Sequence, residues 1–177
     1  KTYPDLVTKD SPTLRVGGKR VMGVAVEHIV PMQSLLDVFS TDEVEGFLDD
    51  MLAQYPDAKF SVETKIDGLS LSLQYENGKL KVASTRGDGM VGEDVTANVL
   101  ACKEIPNVLP VPDFDMIEVR CECYMANSDF EAANREQEEA GKPLFANARN
   151  CAAGSLRQLD PAISAKRNLR VLAFNVQ

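Results

Sequence analysis

A chain of 177 residues, 44% of them hydrophobic, can fill one core but is short for two independent domains. It has no apolar run of membrane-spanning length and no basic-then-apolar leader, so a soluble, cytoplasmic protein with no membrane partner is expected. A formal net charge of −8 excludes strong nonspecific nucleic-acid binding by this chain alone, because that affinity comes mostly from cations neutralising phosphates.

Residues 1–20 are rich in Pro, Gly, Lys and Asp without periodicity, and Asp10-Ser11-Pro12 and Gly17-Gly18 predict an extended, turn-rich linker ahead of a domain over 21–177. Val21 to Ile29 predicts a strand. Ser40 with Glu43 has the form of a capping box, and Val44, Phe47, Leu48, Met51, Leu52 and Tyr55 follow at helical spacing, which predicts an amphipathic helix packed on the domain. Three strand-like runs follow, Lys59 to Thr64, Leu69 to Glu76 and Lys79 to Arg86. Asn77-Gly78 between the last two signals a hairpin, so the sheet is at least partly antiparallel.

Residues 87–93 predict a Gly-rich polar loop, and Asp94 is placed to cap a short helix running through Cys102. Ile117 to Tyr124 predicts another strand. Asn127 or Ser128 would cap a helix ended by Gly141, Ala146 to Leu156 predicts a further helix, and Asp160-Pro161 starts one more helical turn. Leu169 to Val176 predicts a buried strand. The chain opens at Lys1 without a methionine and closes at Gln177 directly after that strand, so a piece of a longer protein is expected.

Cysteines stand at 102, 121, 123 and 151, with no Cys-x-x-Cys pair and a single histidine, His28, so no zinc site is expected within the chain. Cys121 and Cys123 share one face of a strand, and core packing is favoured over a disulfide.

Alternation in Phe60 to Asp67 puts Phe60, Val62, Thr64 and Ile66 on one face and Ser61, Glu63, Lys65 and Asp67 on the other, either a solvated strand face or the wall of a pocket. Ile117 to Tyr124 repeats the pattern, with Glu118, Arg120, Glu122 and Tyr124 opposite Ile117, Val119, Cys121 and Cys123. Between these walls lies Thr85-Arg86-Gly87-Asp88-Gly89-Met90-Val91-Gly92, whose glycines permit close backbone approach to a ligand while Arg86 can clamp a phosphate.

Taken together these segments resemble the bacterial NAD-dependent DNA ligases over nearly the whole chain. Lys65-Ile66-Asp67-Gly68 matches the Lys-x-Asp-Gly signature of covalent nucleotidyltransferases, a short pattern by itself. More specific are Thr85-Arg86-Gly87-Asp88-Gly89, the run from Phe145-Ala146-Asn147 through Gly154-Ser155-Leu156-Arg157-Gln158, and Asp10-Ser11-Pro12-Thr13 with Arg15-Val16-Gly17-Gly18. The resemblance implies an α+β fold of antiparallel sheets flanked by helices, the nucleotidyltransferase domain of DNA ligases and mRNA capping enzymes, with an ATP-grasp-like layout.

It also implies that Lys65 attacks the α-phosphorus of NAD, releasing nicotinamide mononucleotide and leaving lysyl-AMP, for the sealing of nicked double-stranded DNA in replication and repair by a monomeric enzyme. Glu63 would read the adenine, Ser34 and Leu35 would lie against the nucleoside, Arg86 would contact the nucleotide and Glu122 a ribose hydroxyl. Asp67 is a candidate for metal or phosphate, and Arg149 and Arg157 for DNA or phosphate. Mg2+ or Mn2+ would assist, and zinc is expected only in a domain outside the chain. Later lysine motifs and a nicotinamide-binding module are likewise expected beyond Gln177 and before Lys1.

Departures from the family pattern are Thr64 for a usual proline, Cys121 for glycine, Ala148 for proline, and Leu36-Asp37 for Asp-Asn; none falls on a residue assigned chemistry. Two other classes stay open: an ATP-using polynucleotide ligase or capping-type enzyme, and a catalytically idle nucleotide-binding relative.

Overall fold

In Leu69–Glu76 (β2), Leu71, Leu73 and Tyr75 point to one side while Ser70, Ser72 and Gln74 point to the other, the period of two that a half-buried strand requires. This strand is central to the fold, which a computed structural model describes for residues 23–110 and 114–177. The linker-like segment 1–20 and the motifs at Asp10–Thr13 and Arg15–Gly18 lie outside the described residues.

Around β2 the elements run, in chain order, β1 (Ala25–Glu27), α1 (Thr41–Gln54), β3 (Lys79–Thr85), β4 (Val91–Glu93), α2 (Thr96–Ala101), β5 (Met116–Met125), α3 (Asn127–Glu139), α4 (Ala148–Leu156), α5 (Pro161–Lys166) and β6 (Leu169–Val176). Strands β3-β2-β5-β6 form one antiparallel sheet, and β1-β4 a second, two-stranded one. The expected α+β architecture of antiparallel sheets and helices is therefore observed. The β2–β3 hairpin turns through Asn77 (φ 48°) and Gly78 (φ 74°), two left-handed residues as a two-residue turn of this kind demands.

One face of the large sheet carries the core. Leu71, Leu73, Tyr75, Ala83, Cys121 and Cys123 pack there against Val99 and Cys102 at α2 and Cys151, Ala152 and Leu156 from α4. All four cysteines are buried and unpaired, the core role expected of them. The opposite face is a polar row on β5, Glu118, Arg120 and Glu122, set beside Ser70 and Ser72 of β2.

Helix boundaries follow local chemistry. Ser40 Oγ accepts the Glu43 N–H, but Glu43 reaches back to the Phe39 N–H, one residue earlier than in the usual reciprocal box. Asp94 accepts the Thr96 N–H and hydroxyl and so closes the start of α2 from one position before its N-cap, Val95. Asn147 takes the N-cap of α4 and Asp160 that of α5. The N-cap of α3 is Ala126, not Asn127 or Ser128, and no side chain caps it.

Several expectations are corrected. Lys59 to Thr64 forms no strand: β2 is paired on both sides, by β3 and β5, and nothing among the described residues pairs with 59–67, so Val62 is 96% exposed. Helix α1 forms but is not packed on the domain. None of its residues is buried, and its Phe47, 53% exposed, meets Phe60 edge-on with ring centroids 6.4 Å apart. Leu169 to Val176 is a strand with only Leu169 buried, because β6 lies at the end of the sheet with Leu172, Phe174 and Val176 uncovered. Residues 87–93 are not all loop, since Val91–Glu93 pairs with Ala25–Glu27 as β4, and the strand expected over 21–29 narrows to Ala25–Glu27 among the described residues.

Candidate active site

Ahead of β2, Lys65 and Asp67 are exposed, Ile66 is half-buried and Gly68 is buried, so the alternation absent over 59–64 returns where the chain joins the sheet. Two bonds hold that junction. The Gly68 N–H donates to Glu122 Oε1 at 3.0 Å, and the Ser70 hydroxyl donates to Glu122 Oε2 at 2.6 Å. A Cβ at position 68 would lie 2.1 Å from the Cys123 carbonyl oxygen, so the close approach of this segment to β5 requires glycine there.

Lys65 and Asp67 line a cavity of about 550 Å³ with Tyr124 and Met125 at the end of β5 and Asn147 and Arg149 at the start of α4. Arg149 Nη1 sits 3.1 Å from Asp67 Oδ1, an exposed ion pair that sets a cation beside the lysine segment. Glu63 is exposed and accepts the Ser61 hydroxyl at 3.0 Å. It is not among the residues lining the Lys65 cavity.

A second group gathers at the Gly-rich turn. The Arg86 N–H donates to the Ser70 carbonyl, and its Nη1 donates to Ser34 Oγ at 2.6 Å. Glu122, Ser70, Arg86 and Ser34 therefore form one continuous hydrogen-bonded path from the Lys65 segment to residue 34. Gly87 (φ 60°) and Gly89 (φ 94°) take the left-handed conformations that let the turn double back. Asp88 Oδ1 accepts the N–H groups of Met90 and Val91 and stiffens it. Leu35, the residue after Ser34, is 76% exposed. Arg157 lies elsewhere, paired through Nε with Glu93 Oε2 at 2.8 Å, and is not among the residues lining the Lys65 cavity.

Sequence reasoning missed Ser70, Ser72 and His28. The two serines could have been found, since they alternate with leucines on β2 and must face whatever the leucines do not. His28 carried no signal. Its buried ring puts Nε2 3.0 Å from the Arg86 carbonyl, which can only accept, so Nε2 carries the hydrogen and braces the turn from behind. The buried thiols stay protonated near neutral pH, because burial pushes Cys102 up to about 11 and Cys121 up to about 12.

A protein-family model described as the NAD-dependent DNA ligase adenylation domain matches residues 23–177. The chain belongs to that family. It is 53% identical to a DNA ligase of Lactobacillus acidophilus, over 98% of this chain and 26% of that protein. It is 51% identical to a DNA ligase of Acetivibrio thermocellus with the same coverage, and 51% identical to one of Methylobacterium sp. over 97% of this chain and 22% of that protein. The chain thus spans about a quarter of the length of the curated relatives it matches.

The cavity at Lys65 and the turn at Arg86 are joined through Glu122 and Ser70. Among the described residues no group of three or more His, Cys, Asp and Glu side chains is arranged to hold a metal ion. Asp67, the carboxylate among the cavity-lining residues, suits magnesium in one respect, because that ion is commonly held by one or two carboxylates together with substrate phosphates.

Proposed function

We propose that this chain is the nucleotide-binding part of an NAD-dependent DNA ligase and that Lys65 accepts AMP covalently. The observation that carries the reading is the placement of Lys65: exposed on a cavity that Asp67 and Arg149 also line, on a segment anchored at Gly68 by its bond to Glu122. The Lys65 amine forms a P–N bond to the α-phosphorus of NAD. The bond to the bridging pyrophosphate oxygen breaks, and nicotinamide mononucleotide departs with the electron pair. AMP then passes to the 5′-phosphate of nicked double-stranded DNA, and the 3′-hydroxyl displaces it. The match to an NAD-dependent family favours NAD over ATP as the donor.

Other roles follow from where the side chains stand. Leu35 and Ser34 take the nucleoside, Glu63 the adenine, and Arg86, fixed by Ser34, keeps guanidinium donors for the nucleotide. Each Glu122 oxygen already accepts one bond and retains a lone pair for a ribose hydroxyl. Asp67 would hold Mg2+ with the phosphates, where the ion neutralises charge on the phosphoryl oxygens. Arg149 would exchange Asp67 for a phosphate when ligand enters, and Arg157 would meet the DNA backbone. The setting of this reaction is the cytoplasm, and no helix among the described residues is long and apolar enough to cross a membrane.

The test is intact-mass spectrometry of the full-length protein and its Lys65→Ala variant after incubation with NAD and magnesium. An AMP increment is expected in the first and not in the second, with the same melting temperature for both because Lys65 contributes nothing to the core. An adduct retained by the variant would refute the assignment.

A further inference from the structure

Residues 28–36, which carry Ser34 and Leu35, belong to no helix or strand, so their backbone groups need partners from elsewhere. One side is tied to the Gly-rich turn, where the N–H groups of His28 and Met32 donate to the carbonyls of Met90 and Gly89. The other side meets Arg120. This guanidinium, on a residue only 7% exposed, donates through Nη2 to the Val30 carbonyl at 2.6 Å and through Nη1 to the Pro31 carbonyl at 3.1 Å. Its Nε pairs with Glu118 Oε1 at 3.2 Å, and the Ser72 hydroxyl donates to the same oxygen at 2.8 Å.

We infer that Arg120, oriented by Glu118 and Ser72, is a positioning residue that fixes the nucleoside-facing segment against the sheet; this rests on the reading of Ser34 and Leu35 as nucleoside contacts. A buried ion pair is a poor source of stability, because desolvation offsets most of its attraction, so what this pair supplies is geometry. Only a planar fork can reach two successive carbonyls while keeping a third donor for a carboxylate, which lysine cannot do. Arg120 and Glu122 stand two apart on β5, roughly 6.6 Å along the strand. One row of side chains thus sets both walls of the site: Arg120 holds the segment of Ser34, and Glu122 holds the segment of Lys65.

The experiment compares Arg120→Lys with the unmutated full-length protein in the kinetics of lysyl-AMP formation from NAD and in amide hydrogen exchange at His28 and Met32. A displaced nucleoside wall raises KM for NAD about tenfold, the effect of losing one charge-assisted bond, with less than about a threefold fall in the rate at saturating NAD. Exchange at both amides becomes faster. A merely structural role would scale the amplitude of adduct formation with the folded fraction and leave KM alone. An unshifted KM with unchanged exchange overturns the inference while leaving the adenylation reading intact, whereas no adduct in the unmutated protein removes that reading and this inference with it. Should Arg120→Lys fail to fold, Ser72→Ala, which loosens Glu118 without unpairing it, decides: faster exchange at Met32 with a raised KM supports the role, and neither change refutes it.

Discussion

Gly68→Ala tests the physical requirement behind the Lys-x-Asp-Gly pattern most directly. The added Cβ would lie 2.1 Å from the Cys123 carbonyl oxygen and 3.2 Å from Glu122 Cγ. Ordinary contact begins at 3.4 Å, so the deficit against that oxygen is about 1.3 Å (3.4 less 2.1). Strand β5 cannot yield easily, because β2 and β6 pair with it on both sides. Residues 59–67, with no partner strand, are the part that moves. The shift breaks the Gly68 N–H bond to Glu122, a charge-assisted bond that contributes about 1.5–3 kcal/mol, and overpacking of this kind costs about 1–3 kcal/mol. It also carries Lys65 roughly 1 Å from its place, and misplacement on that scale costs on the order of 10²-fold in rate. Thermal unfolding and the rate of lysyl-AMP formation are the assays, with Gly46→Ala as control. Gly46 lies within α1 with nothing within 4 Å of its would-be Cβ, so alanine there should stabilise by about 0.5–1 kcal/mol without slowing the chemistry. A Gly68→Ala protein that adenylates within about threefold of the parent rate at an unchanged melting temperature would show that the close approach to β5 is not needed.

Two further outcomes are expected. Glu122→Ala frees the Gly68 N–H and the Ser70 hydroxyl and removes the carboxylate proposed to meet a ribose hydroxyl, so affinity for AMP measured by calorimetry should fall by about 1.5–3 kcal/mol, with partial recovery in Glu122→Gln; unchanged affinity would make the carboxylate purely structural. Burial raises Tyr75 from 10.0 to about 12, and Cys102 and Cys121 from 9.0 to about 11 and 12, so above pH 9 the unfolded chain sheds protons that the folded chain keeps. Stability should be full below that pH and fall toward pH 11 by up to about 1.4 kcal/mol per unit for each group, read from urea midpoints, and a flat profile between pH 8 and 11 would contradict the burial of these side chains.

Much of this fold was legible because its signals are local. Asn77-Gly78 announces a turn that only positive φ can make, and the leucine–serine alternation of β2 and the cysteine alternation of β5 need no knowledge of the rest of the chain to assign faces. Ser40 and Asp160 place helix starts because a capping oxygen answers N–H groups two or three residues away, whereas the helix expected from Ala146 starts at Ala148, after its N-cap Asn147. What failed was burial where it depends on partners. Periodicity shows that Val44, Phe47 and Leu52 share a face, and that Phe60 and Val62 alternate with polar residues, but a hydrophobic stripe specifies a surface to be covered and not what covers it. The α1 helix and the 59–67 segment differ accordingly: a helix satisfies its own backbone and forms without burial, whereas a strand needs a neighbour's N–H and C=O groups and does not form without one.

The same distinction applies at the site. Lys65 and Asp67 were legible as polar side chains of one segment, and Glu122 as a residue facing away from the core, whereas Glu63 is not among the residues lining the Lys65 cavity. The path from Glu122 through Ser70 and Arg86 to Ser34 was not legible, since it depends on β2 lying between β3 and β5, a choice of neighbours that no single segment encodes. Glu118 and Arg120 show the consequence most clearly. By alternation they belong to the exposed polar face, yet they are among the least exposed charged residues described, because an irregular segment lies across them and binds their guanidinium with its carbonyls. A polar residue on the outward face of a strand is thus assigned a direction by the sequence alone, while its solvent is set by whatever loop crosses above, and it is the crossing loop that turns an outward-facing ion pair into a buried one.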